Sequence, residues 1–210
     1  MYIPSSFNQS DPRVLRAFMR QYSFATVITG TGAGMVASHL PLLLDEKRGS
    51  MGTLSGHVAI QNLQWRAFQQ GAEALVIFHG PHAYISPSLY KSIGVPTWNY
   101  AVIHAYGISR LMDIDALPGH LERLVETYES PRPRPWSLKD LPEEFVTRMR
   151  KNIVGFEIEI SRLEGKWKLN QNRSAEDRQA VIDALLHSGE PDSIAVAQAM
   201  AERMANPPRS

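Results

Sequence analysis

The sequence of 210 residues contains no cysteine. This absence excludes disulfide bonds, thiolate nucleophiles and cysteine-ligated zinc or iron–sulfur centres. No apolar run approaches the ~20 residues that a membrane-spanning helix requires, and the N-terminal stretch lacks the basic start and the apolar segment of a signal peptide. We therefore expect a cytoplasmic protein with no membrane partner.

Charge of neither sign is in excess, because 22 basic and 21 acidic residues leave a formal net charge of +1. A near-neutral chain does not coat nucleic acid or an anionic membrane by charge alone. Hydrophobic residues make up 43% of the sequence, which is enough for a single well-buried core at this length. We predict one main domain over residues 1–173 and a helical extension over residues 174–210 that packs on it.

Runs of β-forming residues dominate the chain before this extension. FATVITG, GMVASHLPLLLD and MGTLSGHVA are separated by the turn-like stretches GTGAG and DEKRG, a pattern typical of antiparallel hairpins. EALVIFHG predicts a buried strand, PHAYISPSLYKSIGVP a loop, and VPTWNYAVIHAYG the start of a long strand that ends near Asp113. IVGFEIEISRLEGKWKLN predicts a β-hairpin that turns at Glu164-Gly165.

Helical periodicity occurs in separate segments between and after the predicted strands. Apolar spacing and flanking caps predict helices from Asp11 to Tyr22, up to Gly71, from Asp115 to Glu129, from Pro142 to Asn152, and twice after Ser174. Strands in antiparallel succession favour a mainly β fold with helices (α+β), namely a closed or half-closed antiparallel barrel with peripheral helices and a helical C-terminal tail. The lack of regular strand–helix alternation argues against a doubly wound sheet.

Two short motifs do not fit the chemistry that they suggest. The GTGAG stretch leads into a strand, whereas a dinucleotide-binding glycine loop leads into a helix. His79 and His82 lie three residues apart, but Gly80-Pro81 excludes a helix there, so we interpret both as polar residues at a strand end. No pair of predicted helices is typical of a helix-turn-helix. We therefore nominate no catalytic residue and no metal ligand.

Three strand segments carry polar side chains that could meet a ligand: VASHLP, LSGHVAIQN and KWKLNQNR. In the last of them, alternation places Lys168 and Asn170 on one face and Gln171 and Arg173 on the other. Each segment also has a structural explanation, because a strand histidine is commonly satisfied by the backbone and lysines commonly protect an edge strand. The residues alone leave both interpretations open.

The order of these segments resembles one known family along nearly the whole chain. SHLPLLLD, GHVA with the following Asn62 and QW, VIFHGPHAYISPS, VPTWNYAVIHAYG and IVGFEIEISRLEGKWKLNQNR resemble the PaiB-like family of FMN-binding negative transcriptional regulators. The resemblance implies an FMN-binding split β-barrel related to pyridoxamine-phosphate oxidases, assembled as a homodimer with FMN at the subunit interface. Such a ligand needs flat packing for its rings, fixed partners for its polar edge, and cations or hydroxyls for its phosphate.

The resemblance also implies which residues lie at the cofactor. Positions on the first two flavin-edge strands and on the following turn match the family: Ser38, His39, Leu40, His57, Val58, Ala59, Asn62 and Trp65. A second set matches positions near the ligand or the interface that the partner subunit would supply: Asn99, Lys168, Gln171 and Arg173. We predict that both sets line one FMN site.

The chain departs from the family pattern beside the predicted phosphate position. Ile60 stands where an arginine is common, and Leu63 stands where a proline is common. Loss of a cation beside a phosphate is expected to cost about 1.5–3 kcal/mol of binding free energy. FMN is therefore the expected cofactor, bound more weakly at its phosphate than an arginine at residue 60 would allow.

The resemblance implies a negative transcriptional regulator, although the sequence contains no recognisable DNA-binding motif. A flavin- or haem-dependent oxidoreductase is the alternative, because related split barrels use these cofactors, and a ligand-free interaction module is a third reading. No acid–base pair nominates a substrate. We therefore favour a role that is not enzymatic, and keep an FMN-dependent oxidoreductase as the enzymatic alternative.

The aromatic stretch VPTWNYAVIHAYG has two different faces. Alternation places five bulky side chains on one face: Trp98, Tyr100, Val102, His104 and Tyr106. The other face carries Thr97, Asn99, Ala101, Ile103 and Ala105. We predict that the bulky face packs inside the barrel or against a helix, and that the smaller face leaves room for a second subunit or a flavin.

Overall fold

The computed structural model describes residues 1–32 and 34–206, and it confirms a mainly β fold with helices. The strands are β1 (Asn8–Gln9), β2 (Phe24–Thr31), β3 (Gly34–Pro41), β4 (Leu43–Asp45), β5 (Thr53–Ala59), β6 (Glu73–Ile85), β7 (Thr97–Leu111) and β8 (Ile153–Lys168). The helices are α1 (Pro12–Gln21), α2 (Trp65–Gln69), α3 (Leu117–Glu129), α4 (Glu143–Arg150), α5 (Ala175–Leu186) and α6 (Pro191–Ala205). Among the described residues no helix is both long and apolar enough to cross a membrane.

The strands form one sheet in the order β3-β2-β6-β7-β8-β5-β4, and β1 pairs with β8. β2 and β3 form the predicted hairpin and pair antiparallel from Phe24 opposite Pro41 to Thr31 opposite Gly34. Ala33, in the predicted GTGAG turn, lies outside the described residues. β3 is the last strand on its side of this order, so its outward backbone groups are not used in strand pairing.

β5 and β8 pair antiparallel with a register that separates a polar face from an apolar one. Ser55 lies opposite Glu157, and His57 lies opposite Gly155. Side chains alternate along a strand, so Ser55 and His57 share one face with Glu157. The buried Val58 lies on the other face of β5.

β8 is one continuous strand, so the predicted hairpin turn at Glu164-Gly165 is wrong. Gly165 lies inside β8 and pairs with Gln9 of β1. A Cβ on Gly165 would lie 2.6 Å from the backbone oxygen of Gln9 and 2.5 Å from a methyl carbon of Leu15. Glycine is therefore required for the close approach of β1 and α1, and not for a turn.

β6 is longer than predicted, because it includes the first part of the segment that we predicted as a loop. His79 and His82 consequently lie within a strand and not at its end. Ala83 and Ile85 are buried at alternate positions. The buried positions are even-numbered up to Phe78 and odd-numbered from Pro81, so one face of the strand is buried on each side of Gly80 and favours an extended conformation there.

The chain divides into two compact units. Unit 1 contains Met1–Phe18, His79–His104 and the described part of Glu164–Ser210, and unit 2 contains Met19–Phe78 and Ala105–Leu163. Within unit 1 the ring centroids of Phe18 and Trp167 are 4.8 Å apart. Within unit 2 Phe68 stacks on Phe156 at 4.3 Å. Each unit therefore has its own aromatic core contact.

The predicted roles of the two β7 faces are wrong in the part of the strand that belongs to unit 1. Asn99 and Ile103, on the smaller face, are 0% exposed. Trp98, on the bulky face, is 53% exposed, and Tyr100 and His104 are half-buried. The Asn99 amide nitrogen lies 3.4 Å from the sulfur of Met200 on α6, so that helix covers the smaller face.

Candidate functional site

Two predicted cofactor residues from separate segments of unit 2 are hydrogen-bonded to each other. The Asn62 side-chain amide donates to the Ser38 hydroxyl at 2.8 Å. The side-chain oxygen of Asn62 accepts from the backbone N–H of Gln64 at 3.1 Å, which fixes the turn that leads into α2. The polar side chain of β3 and the β5–α2 turn therefore form one small polar surface, which we call the Ser38–Asn62 edge.

The buried side chain of Gln64 links this edge to β2 in the protein interior. Its side chain is 1% exposed, and its amide nitrogen donates to the Val27 carbonyl at 3.0 Å and to the Thr29 hydroxyl at 3.2 Å. The same nitrogen lies 3.3 Å from the Val36 carbonyl oxygen. Buried amide contacts of this kind hold the turn against β2 and β3, so the Ser38–Asn62 edge does not depend on a loop alone.

The start of α2 carries an aromatic ring and a guanidinium group beside the edge. The Trp65 indole nitrogen donates to the Ile60 carbonyl at 3.0 Å. The Arg66 guanidinium carbon lies 5.6 Å from the centre of the Trp65 ring, within the range of a cation–π contact. Ile60 itself is 42% exposed. Trp65 thus contacts both the exposed Arg66 and the backbone of the residue at which the chain lacks an arginine.

The other predicted residues of β3 and β5 differ in what they can offer a ligand. His39 is exposed, and its Nδ1 lies 3.0 Å from the Thr26 hydroxyl. Leu40 is half-buried, and Ala59 is exposed at the end of β5. Val58 is 2% exposed, so only its backbone is available outside the core.

His57 belongs to a buried polar group that the sequence analysis did not identify. Nδ1 of His57 lies 3.5 Å from Nε2 of His120, and Nδ1 of His120 lies 3.2 Å from the Ser55 hydroxyl. Burial lowers the pKa of His57. Burial is also the main cause that lowers the pKa of His120 to about 4, and the proximity of the ionisable His57 and of Arg123 acts in the same direction. Both rings are therefore neutral at pH 7. The sequence signal for His120 was a lone histidine three residues after the buried Leu117 on α3.

A carboxylate with two arginine partners lies on the same face of the sheet. Glu157 accepts from Arg48 at 2.5 Å and 2.8 Å, and from Arg110 at 3.1 Å. The hydrogen bond from Arg48 is the main reason why the pKa of Glu157 is below its ordinary value. A negative charge is therefore retained near the histidine pair, and it opposes the lowering of the His120 pKa.

Two predicted cations at the end of β8 and just after it hold the segment that leads into β7 in unit 1. The Lys168 ammonium donates to the Thr97 hydroxyl and, at 2.6 Å, to the Trp98 carbonyl. Arg173 donates to the Ile93 carbonyl at 3.0 Å. Burial is the main cause that lowers the pKa of Lys168. Both cations consequently support the segment between residues 90 and 98.

Gln171 does not continue β8 as predicted, because the strand ends at Lys168. The chain turns at Asn170, which has a positive φ of 59° and donates to the Tyr90 hydroxyl at 3.2 Å. The Gln171 oxygen accepts from the Leu169 N–H at 2.7 Å. The face alternation predicted for this segment is therefore wrong after Lys168, since asparagine tolerates the left-handed conformation that ends the strand.

Unit 1 also contains a cleft of about 460 Å³ whose walls are rich in imidazole and aromatic rings. Its lining includes His79, His82, Trp98, Tyr100 and His104. The ring centroids of His82 and Trp98 are 6.0 Å apart. Among residues 1–32 and 34–206 there is no group of three or more side chains arranged to hold a bare metal ion.

The comparison with known families identifies the class of protein that this fold and edge define. The chain belongs to the family described as "Putative FMN-binding domain", whose model matches residues 1–162. This result confirms the predicted family resemblance and supports a flavin as the ligand class.

A relative from Bacillus subtilis extends this match to nearly the full chain. It is named "Protease synthase and sporulation protein PAI 2", and it is 36% identical over 204 residues, which cover 97% of this chain and 98% of the relative. The predicted PaiB-like membership is therefore confirmed at the level of the family.

Solved structures confirm the split-barrel fold. An FAD- and haem-binding protein from Mycobacterium smegmatis matches with a TM-score of 0.58 and 16% identity, covering 82% of this chain and 78% of that one. A flavocytochrome from Azotobacter vinelandii matches with a TM-score of 0.55 and 13% identity, covering 82% and 75%. At these identities the likeness concerns the fold alone.

Proposed function

We propose that this protein binds FMN at the Ser38–Asn62 edge, in a homodimer whose second copy completes the site. The observation that carries the proposal is the 2.8 Å hydrogen bond between Asn62 and Ser38, which joins a predicted cofactor residue of the β5–α2 turn to one on β3. Membership of the FMN-binding family supports the choice of ligand class.

The residues at this edge fit the polar side of a flavin ring. Ser38 offers a hydroxyl and Asn62 an amide, and the outward backbone of β3 adds further donors and acceptors. His57, which the sequence analysis also predicts at the flavin, would offer a neutral ring. Ala59 is small and exposed, which leaves space for flat packing. When bound, FMN would supply an electron-accepting ring system, and these residues would bind and orient it.

The phosphate requires a cation that residue 60 does not provide. Arg66 on α2 is exposed, and we propose that it meets the phosphate in place of an arginine at residue 60. Lys168 and Arg173 from the second copy are the other predicted cations. A guanidinium pairs well with phosphate because its donors match the phosphate oxygens in a fixed geometry.

A titration of the purified protein with FMN tests this proposal. We expect flavin fluorescence to be quenched on binding, and Asn62→Ala to weaken affinity about fivefold, the factor that corresponds to one lost hydrogen bond. Gln61→Ala changes the exposed neighbouring residue and serves as the matched control. Absence of flavin binding to the wild type would refute the proposal, and equal effects of the two variants would remove Asn62 from the site.

Arg66 has a separate test, because riboflavin lacks the phosphate. Arg66→Gln should weaken FMN binding and leave riboflavin binding unchanged. A variant that binds both ligands as well as the wild type would show that the phosphate has another partner.

The cleft of unit 1 favours haem as a second candidate ligand. Imidazole is a common axial ligand of haem iron, and the ring-lined walls of the cleft suit a flat macrocycle. Two proteins of the same fold are described as a haem-binding protein and a flavocytochrome. A haemin titration should produce a Soret shift that His82→Ala reduces. An unshifted spectrum would eliminate this candidate, and with it the haem-dependent oxidoreductase.

A role in gene repression is the biological function that we propose for the FMN-bound dimer. It is supported by the PaiB-like membership and not by charge, since the chain has a net charge of +1. Gel-shift assays with and without FMN, at two salt concentrations, test direct DNA binding. Absence of a salt-sensitive shift in both states would exclude direct repression.

A further inference from the structure

Three side chains of unit 2, those of Ser55, His120 and His57, form a line of polar contacts that ends at the exposed part of His57. Ser55 and His57 share one face of β5, and His120 lies in the first turn of α3. His120 is 0% exposed and contacts Ser55 through Nδ1 and His57 through Nε2, at 3.2 Å and 3.5 Å. The line therefore runs from the protein interior to the half-buried imidazole of His57, which the sequence analysis predicts at the flavin.

Each contact in this line needs one donor and one acceptor. A neutral imidazole carries its hydrogen on one nitrogen and a lone pair on the other. If His120 donates from Nε2 to Nδ1 of His57, then His57 carries its own hydrogen on Nε2. If His57 donates from Nδ1 instead, its Nε2 becomes an acceptor and His120 carries its hydrogen on Nδ1. The Ser55 hydroxyl fits both arrangements, because it can donate or accept.

The outer atom of the line is Nε2 of His57. Within residues 1–32 and 34–206 this atom makes no hydrogen bond, and it is not among the buried polar atoms that lack one. A ligand can therefore reach it. The buried surroundings disfavour the charged form of either ring, so the two arrangements differ in hydrogen positions and not in net charge.

We propose that Ser55 and His120 are positioning residues that hold His57 neutral and let its Nε2 act either as donor or as acceptor toward a bound ring. The identity of that ring as a flavin rests on the proposed function. The polar edge of a flavin carries both carbonyl and ring-nitrogen acceptors and an N–H donor. A histidine that can change its hydrogen position meets either kind of group without bringing a charge into the site.

Nitrogen-15 NMR of the ligand-free protein tests the line itself. Long-range proton–nitrogen spectra assign which ring nitrogen of each histidine carries the hydrogen. We expect His57 and His120 to share one form at pH 7, both with the hydrogen on Nε2 or both on Nδ1, and His120 to remain neutral at pH 6. Opposite forms in the two rings, or a charged His120 at pH 6, would overturn the proposal.

Variants at His120 distinguish positioning from packing. His120→Ala removes both contacts and leaves space for water, so we expect the pKa of His57 to rise toward its ordinary value. His120→Gln retains an amide that can donate or accept, so it should change the His57 titration less than His120→Ala does. A His57 titration curve that is the same in the wild type and in His120→Ala, or in Ser55→Ala where His120→Ala does not fold, would overturn the proposal.

Ligand binding provides the second measurement. Ser55→Ala and His120→Ala should each weaken FMN binding about fivefold, although neither residue reaches the ligand. His187→Gln, at an exposed histidine after α5, should bind like the wild type. If the wild type binds no flavin, the proposed function fails while the NMR measurement still decides the histidine line. Unchanged FMN affinity in both variants would overturn the positioning role.

Discussion

Acidification should destabilise unit 2 through His120. The pKa of this buried ring falls from an ordinary 6.5 to about 4, mainly through burial, with His57 on β5 and Arg123 on α3 acting in the same direction and Glu157 on β8 against it. Because the unfolded chain binds the proton more readily, this stability is complete above pH 6.5 and decreases as the pH falls toward 4. The full difference corresponds to about 3 kcal/mol, of which about 2 kcal/mol should be lost by pH 5.

Urea denaturation followed by tryptophan fluorescence, at pH 7 and pH 5, measures this loss. Glu157 has a lowered pKa, so its contribution is lost below its ordinary value of 4.5 and does not affect this window. His120→Gln should lose about 2 kcal/mol less than the wild type between the two pH values. His187→Gln is the control and should follow the wild type. An equal loss in the wild type and in His120→Gln would refute the assignment of the buried, neutral ring.

Three further predictions concern packing and the unit 1 loop. Gly107→Ala places a Cβ 2.1 Å from the backbone oxygen of Glu159 and should lower the free energy of unfolding in urea by about 1–3 kcal/mol or more; an unchanged midpoint would contradict this close approach. Phe68→Ala removes a ring that is 0% exposed, and the same assay should show a loss of about 3–5 kcal/mol; a loss below about 1 kcal/mol would mean that the site collapses. Asp177→Asn weakens the acceptor that the Ser92 hydroxyl and backbone N–H share, so amide hydrogen exchange at Ser92 should accelerate. An unchanged exchange rate would show that other contacts hold the loop around residue 92.

The candidate site was partly predictable because the residues that form it are local in the sequence. Asn62 and Trp65 lie just after a strand, where turn residues and a helix start are visible from residue type. Ser38, Asn62 and Trp65 were all assigned to the cofactor from family resemblance, but the hydrogen bond between Ser38 and Asn62 joins residues 24 positions apart and was not predicted. His120 was not predicted, since nothing in its neighbourhood on α3 indicates a contact with β5.

Gly165 shows a similar limit of prediction from sequence within a strand. Gly165 was predicted to lie in a turn, since glycine commonly marks one. The structure places it within β8, where Gln9 and Leu15 leave no room for a side chain. A position can require glycine for its conformational freedom or for its lack of a side chain. The sequence alone does not separate these two reasons.

By itself the sequence determined the alternation of strands and helices, the two distinct faces of β7, and the near-neutral charge. Local periodicity suffices for these features, because a strand repeats every two residues whatever packs against it. Tertiary structure alone decided which face of β7 is buried, since Asn99 is covered by Met200 from a helix that begins about 90 residues later in the chain. It also brought Ser55, His57 and His120 together, because the contact between β5 and α3 is set by the packing of elements that are distant in sequence.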